Sequence, residues 1–313
     1  MLQTFLIRLL LGGILASTTA SVTEFYTHET APGDYLKKVD VDGRAREYLV
    51  HVPAGYDGKH LLPLLFAFHG SSASARVIEQ ETGLDERADS LGFIVVYPEG
   101  LHRAWNIGEC CRYSFKQRVD ETKFVSAIMD VVERGFTVDS TRVYAVGYSD
   151  GGTLSYMLAC KLPNRLTAVA GVAATLFKPE PACDLPRSVP VMIVHGTADV
   201  HVRYGGSTGG PPDEPPPHFE HSAPEVAQFW TTRDVCLPKP EVTRSGNVTT
   251  ERYQCRDSSE VLFYTIKDGA HGWPGGSRGW IFSPVPPRDM VATDSVLTFF
   301  LRYRLGSSDS IHS

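Results

Sequence analysis

The chain has 313 residues, of which 42% are hydrophobic and 21% charged, with a formal net charge of −6. Such a composition excludes a disordered or fibrous protein, and the length accommodates one large α/β domain or two smaller ones. The mild acidity argues against nucleic acid or an anionic membrane surface as a partner.

Residues 1–20 read as a secretory leader. Arg8 supplies a positive charge, Leu9 to Ala16 is a short apolar run, and Ser17-Thr18-Thr19-Ala20 offers small residues for cleavage after Ala20. The apolar run is too short to span a bilayer comfortably, so the expectation is a secreted, extracellular chain with no membrane partner. The six cysteines and the sequon Asn247-Val248-Thr249 agree with export, and Asn247 is a candidate glycosylation site. No linker, repeat or charge block divides residues 21–313, which are expected to be one catalytic domain.

Glu47–Val52 reads as a first strand and Leu61–Phe68 as a second. The second is almost continuously apolar, as in a parallel sheet covered on both faces. It ends in His69-Gly70-Ser71-Ser72-Ala73-Ser74, a small-residue loop suited to presenting backbone N–H groups. A helix over Leu84–Leu91 and a buried strand over Phe93–Tyr97 follow. Trp105 lies in the irregular stretch beyond, as a cleft wall or a core plug. Cys110 and Cys111 are adjacent, which makes a mutual bond difficult and suggests a distant partner for each. Asp120 is placed to cap a helix running to about Gly135, with Phe124, Ile128, Met129, Val132 and Phe136 as its core face.

The chain is organised around Gly147-Tyr148-Ser149-Asp150-Gly151-Gly152, which joins the strand Arg142–Val146 to a helix over Thr153–Cys160. Strand, G-x-S-x-G and helix together form a nucleophile elbow with Ser149 at its apex. Such a serine needs oxyanion donors before it, then an acid, then a histidine. The N–H of Ser71, with Ser72 as alternative, and the N–H of Asp150 are the expected donors. Asp199, just past the strand Val189–His195, is the expected acid. Asp184 lies before that strand, and Asp213 lies in a stiff Pro-rich loop. His271 follows the last strong strand, Glu260–Ile266, in a glycine-rich loop, and is the expected base. Asp268 is expected to shape the turn and His69 to hold its loop. Trp105, Tyr204 and Trp273 are candidates for aromatic cleft walls. Cys236 and Cys255 make the most local disulfide; Cys110, Cys111, Cys160 and Cys183 make two more in an open pairing, with a buried thiol as the alternative for Cys160. Helices over Ala223–Arg233 and Met290–Arg304 complete the chain.

Taken in order, six motifs resemble those of the secreted feruloyl esterase and polyhydroxybutyrate depolymerase group. They are Phe68-His69-Gly70-Ser71, Tyr97-Pro98-Glu99-Gly100, Trp105-Asn106 with Cys110-Cys111, the elbow itself, His195-Gly196-Thr197-Ala198-Asp199, and His271-Gly272-Trp273-Pro274-Gly275-Gly276. That group belongs to the esterase-D-like α/β-hydrolases of the carbohydrate esterase family 1 type. The resemblance covers roughly residues 35–303. It implies an α/β-hydrolase fold with a mostly parallel sheet, and a serine esterase with the triad Ser149, Asp199 and His271. It implies no cofactor and no metal. The substrate class it implies is an ester, above all a feruloyl ester of plant cell-wall polysaccharide, with polyhydroxybutyrate or acetylated xylan as alternatives. Asp150 departs from the asparagine or glutamine frequent in the group, and residues 205–221 form a Gly/Pro-rich insertion beside the acid loop. A non-catalytic binding protein on the same fold would lack a triad member, and a peptidase would carry a cap domain.

Overall fold

The computed structural model describes residues 31–108, 113–207, 219–279 and 284–306. Residues 1–20, Cys110, Cys111 and most of the insertion 205–221 lie outside these.

Twelve strands and seven helices make up the described chain. The strands are β1 (Gly33–Val41), β2 (Arg44–Val52), β3 (Leu62–Phe68), β4 (Ile94–Pro98), β5 (Val138–Tyr148), β6 (Ala168–Val172), β7 (Phe177–Lys178), β8 (Val191–Gly196), β9 (Phe219–Glu220), β10 (Glu241–Ser245), β11 (Val248–Gln254) and β12 (Glu260–Ile266). The helices are α1 (Ala75–Thr82), α2 (Leu84–Leu91), α3 (Tyr113–Lys116), α4 (Glu121–Gly135), α5 (Asp150–Lys161), α6 (Ala223–Arg233) and α7 (Ala292–Phe300).

One ten-stranded sheet runs in the order β1-β2-β4-β3-β5-β6-β8-β12-β11-β10. The six strands from β4 to β12 are parallel, and antiparallel pairs flank them on both sides. The apolar run of β3 is explained by this placement. Leu64, Phe66 and Phe68 enter the core beneath α4, α5 and α6, while Leu65 and Ala67 enter the core beneath α1, α2 and α7. A strand buried on both faces has no polar alternate positions.

The expected core face of α4 is buried as a stripe, and Asp120 accepts the N–H of Lys123 at 2.9 Å as its cap. The last helix is shorter than expected: Val291 is exposed and the helix begins at Ala292. Strands β1, β10 and β11 extend the sheet beyond the strands expected from sequence. Segment 236–255 is thus an antiparallel hairpin closed by the disulfide Cys236–Cys255. A second disulfide joins Cys160, at the end of α5, to Cys183. Cys160 is therefore not a thiol, and no described cysteine remains as a distant partner for Cys110 or Cys111.

Candidate active site

The elbow is built by steric necessity. Ser149 has φ 55° and ψ −125°, a left-handed region that L-residues avoid and that costs of order 1–3 kcal/mol. Its N–H is held by the carbonyl of Val172 at 2.9 Å. A Cβ on Gly147 would lie 2.1 Å from the carbonyl of Gly151, and one on Gly151 would lie 2.2 Å from the carbonyl oxygen of Phe68. Gly147 therefore has to be glycine for β5 and α5 to pass this closely, and Gly151 for α5 to start against the end of β3. The N-terminus of the twelve-residue α5 lies at Asp150, where the helix dipole attracts negative charge.

Strands β8 and β12 are neighbours, and their loops are stitched together. Ala198 N–H bonds the carbonyl of Gly269 at 2.9 Å, and Asp268 N–H bonds Thr197 Oγ1 at 2.8 Å. Asp268 has φ 57° and shapes the turn, as expected. Across this joint His271 Nδ1 donates to Asp199 Oδ2 at 2.7 Å. The other oxygen of Asp199, Oδ1, accepts the N–H groups of His201 and Val202, each at 2.9 Å. Asp199, His271 and Ser149 are all buried, at 5%, 9% and 9% exposure. Asp184 and Asp268 make no such bond with His271.

The Ser149 side of the cleft meets the loop after β3. A Cβ on Gly70 would lie 3.2 Å from that of Ser149. Among the described residues no carbonyl takes the N–H of Ser71, whereas that of Ser72 is occupied by the carbonyl of Arg103 at 2.9 Å. His69 supports this loop. Its Nδ1 donates to the carbonyl of Gly70 at 2.7 Å, and its Nε2 accepts the N–H of Gly100 at 3.0 Å. Complete burial pushes its pKa down to about 4, so the ring is neutral.

The aromatic expectations are corrected. Trp105 is 2% exposed and donates Nε1–H to the carbonyl of His69 at 2.8 Å. Trp273 is 1% exposed and donates to Thr293 Oγ1 at 2.9 Å. Both indoles satisfy buried polar partners in the interior and are not cleft walls. Tyr204 is half-buried, stacks on Phe263 and bonds Thr265 Oγ1 at 2.9 Å, behind the acid loop. The aromatic groups flanking His271 are instead Tyr148, at 4.9 Å between ring centroids, and His201, at 5.2 Å. The sequence reading singles out neither. Tyr148 lies inside the elbow motif and His201 two positions after the acid, so their placement was their only signal.

Asp34, His51 and Asp85 are the one group of ligand-type side chains, among the described residues, close enough to share a metal ion. They belong to the β1–β2 edge and α2, not to the strand ends that carry Ser149, Asp199 and His271. No helix of the described residues is long and apolar enough to cross a membrane.

Residues 46–205 match the family described as Esterase PHB depolymerase. The chain belongs to that family. It is an α/β-hydrolase and a serine carboxylic-ester hydrolase. A protein named "Probable feruloyl esterase C" from Aspergillus terreus is 31% identical over 244 residues, covering 74% of this chain and 78% of the relative. Feruloyl esterase B of Piromyces equi is 28% identical over 76% of this chain, but the match spans only 44% of that relative. Among solved structures, the acetyl xylan esterase of Aspergillus awamori superposes with a TM-score of 0.60 at 13% identity. It covers 85% of this chain and 98% of its own, a likeness of fold.

Proposed function

We propose that the chain is a secreted feruloyl esterase whose triad is Ser149, His271 and Asp199. The observation that carries the triad is the 2.7 Å bond from His271 Nδ1 to Asp199 Oδ2, with the imidazole packed 4.9 Å from the ring of Tyr148, the residue that precedes the strained Ser149. Asp199 holds the imidazole in the tautomer with Nδ1–H, which leaves Nε2 as the base. Nε2 takes the Ser149 proton as Oγ attacks the ester carbonyl. The N–H groups of Ser71 and Asp150 receive the oxyanion, each donor being worth about 3 kcal/mol in the transition state. The proton passes to the leaving alcohol. Water, deprotonated by the same histidine, then frees the acid from the acyl-enzyme.

The names of the relatives from Aspergillus and Piromyces favour a feruloyl ester, and the half-buried Tyr148 offers an aromatic surface beside the triad. Acetylated xylan is the second reading. The burial of Trp105 and Trp273 removes two of the three aromatic walls expected for a feruloyl group, and an acetyl group needs none. The direct test compares rates on methyl ferulate, acetylated xylan and a polyhydroxybutyrate film. Ferulate release should be fastest. Acetate release alone would favour the second reading, and clearing of the film with negligible ferulate release would reassign the substrate to polyester.

Export and the single domain 21–313 belong to the same proposal. Expression in a secreting host should yield medium-borne protein beginning at Ser21. A mobility shift on deglycosylation, lost in Asn247→Gln, would identify the glycan site. Asn247 is exposed in the turn between β10 and β11.

A further inference from the structure

We propose that Glu81 is a positioning residue, which clasps the glycine segment 276–279 after His271 and so couples the oxyanion loop to the base loop. The proposal rests on the triad reading above. Its geometry begins with α1, which grows directly out of the loop His69–Ser74 and carries Glu81 in its last turn. The backbone carbonyl of Glu81 accepts the N–H of Ser277 at 2.9 Å, and its carboxyl accepts the N–H of Gly279. A Cβ on Gly276 would lie 2.2 Å from that carbonyl oxygen, and one on Gly279 would lie 1.9 Å from Oε1. Two glycines thus let the segment close over this one residue. A second stitch lies next door: Trp273 bonds Thr293 Oγ1, which in turn donates to the carbonyl of Thr82 at 2.6 Å.

The carboxyl is an unusual choice for such a clasp. Glu81 is 8% exposed, and its Oε2 has no hydrogen-bond partner among the described residues. Among the described residues no ion pair offsets it, and a buried lone carboxylate is costly. Burial pushes its pKa up to about 7, with the Gly279 N–H pulling the other way. The titratable groups around it are Tyr148 on the elbow, whose phenol its charge helps to push up, and Arg278, exposed on the clasped segment. Below neutral pH the proton sits on the carboxyl and the clasp is closed. Above neutral pH the unpaired charge draws the carboxyl toward water, and the segment that follows His271 goes with it.

The test measures kcat and KM for p-nitrophenyl acetate on the full chain from about pH 5.5 to 9, with thermal melts beside each variant. Wild-type kcat should fall above about pH 7, and Glu81→Gln, which cannot ionise, should remove that fall. Glu81→Ala should lower kcat about tenfold below about pH 7, where the wild-type clasp is closed, with KM within about twofold, and this deficit should narrow at higher pH, because a base displaced by a fraction of an ångström loses its geometry. Gly279→Ala should lower kcat in the native background but add nothing in Glu81→Ala, where the colliding carboxyl is gone. Identical pH profiles for wild type and Glu81→Gln would overturn the proposal, and so would additive losses in the double variant. Should Glu81→Ala fail to fold, the Gln comparison still decides. Full activity of Ser149→Ala would sink the triad instead. An inactive Ser149→Ala with unaffected Glu81 variants would sink only the clasp.

Discussion

The ring of Tyr148 lies 4.9 Å from that of His271, tilted by 37°, so the residue before Ser149 is a wall for the imidazole. Strand β5 fixes one ring and the loop after β12 carries the other. Without the phenol ring, His271 would keep its bond to Asp199 but gain freedom to rotate about it. Tyr148→Ala should therefore lower kcat by about tenfold or more while KM for p-nitrophenyl acetate changes less. Tyr148→Phe keeps the ring and should retain most of the activity. An equal loss in both variants would place the effect in the hydroxyl group and refute the packing argument.

The proposed triad makes a sharper prediction. Ser149→Ala, His271→Ala and Asp199→Asn should fold, since the first and last hardly change the side-chain volume and His271 lies in a loop outside the strands and helices. The first two should lose nearly all turnover. Asp199→Asn should lose about four orders of magnitude, because an amide cannot hold the imidazole in the required tautomer. The double variant Ser149→Ala/His271→Ala should be little worse than either single one, as expected of groups that act as a unit. Near-normal turnover in His271→Ala, measured by p-nitrophenol release, would dismantle the assignment.

How legible this was depended on burial. Strands β3, β4 and β8 are covered on both faces, so their apolar runs stand out in the sequence. The edge strand β10 is exposed at every residue, and β1 alternates between half-buried and exposed positions up to its buried last residue, Val41, so neither needs an apolar signature. The positions of Ser149, Asp199 and His271 were legible because each sits where a strand ends and glycines mark the turn. The tryptophans misled because an indole is equally suited to a cleft or a core, and only the partners of Trp105 and Trp273 separate the two. Glu81 was not legible at all. Its significance comes from a contact with residues 277–279, which lie almost two hundred positions away in sequence.

The disulfide Cys160–Cys183 ties the end of the elbow helix to the chain that leads into β8, closing a loop with sequence separation 23. A loop of that size stabilises by about 3 kcal/mol, largely through the unfolded chain. Cys160→Ser/Cys183→Ser should lower urea-unfolding stability by about 2–4 kcal/mol and leave the KM for p-nitrophenyl acetate near its original value. A loss well under 1 kcal/mol would mean that the neighbouring contacts already fix this segment.

His69 predicts an acid limb in stability. Its neutral ring is fully satisfied, since Nδ1 donates to Gly70 and Nε2 accepts from Gly100. A proton on Nε2 would break the second bond and place a charge in the interior, which is why its pKa falls from 6.5 to about 4. Between those values the unfolded chain binds a proton that the folded chain does not. Stability from this group is thus fully present above pH 6.5 and is lost as pH falls toward 4. The full loss is about 3 kcal/mol. The buried carboxyls of Glu81 and Asp234, both pushed up to about 7, act in the opposite sense: the folded state keeps their protons, and stability rises as pH falls through that value. They are common to wild type and variant and cancel in a comparison. His69→Gln can still accept from Gly100 and donate to Gly70 but cannot take up a proton. Urea unfolding at about pH 7 and pH 4.5 should therefore show a loss on acidification that is smaller in His69→Gln than in wild type by about 2 kcal/mol or more. Equal losses in the two proteins would show that His69 is already charged in the folded chain, and would overturn its neutral role in holding the loop after β3.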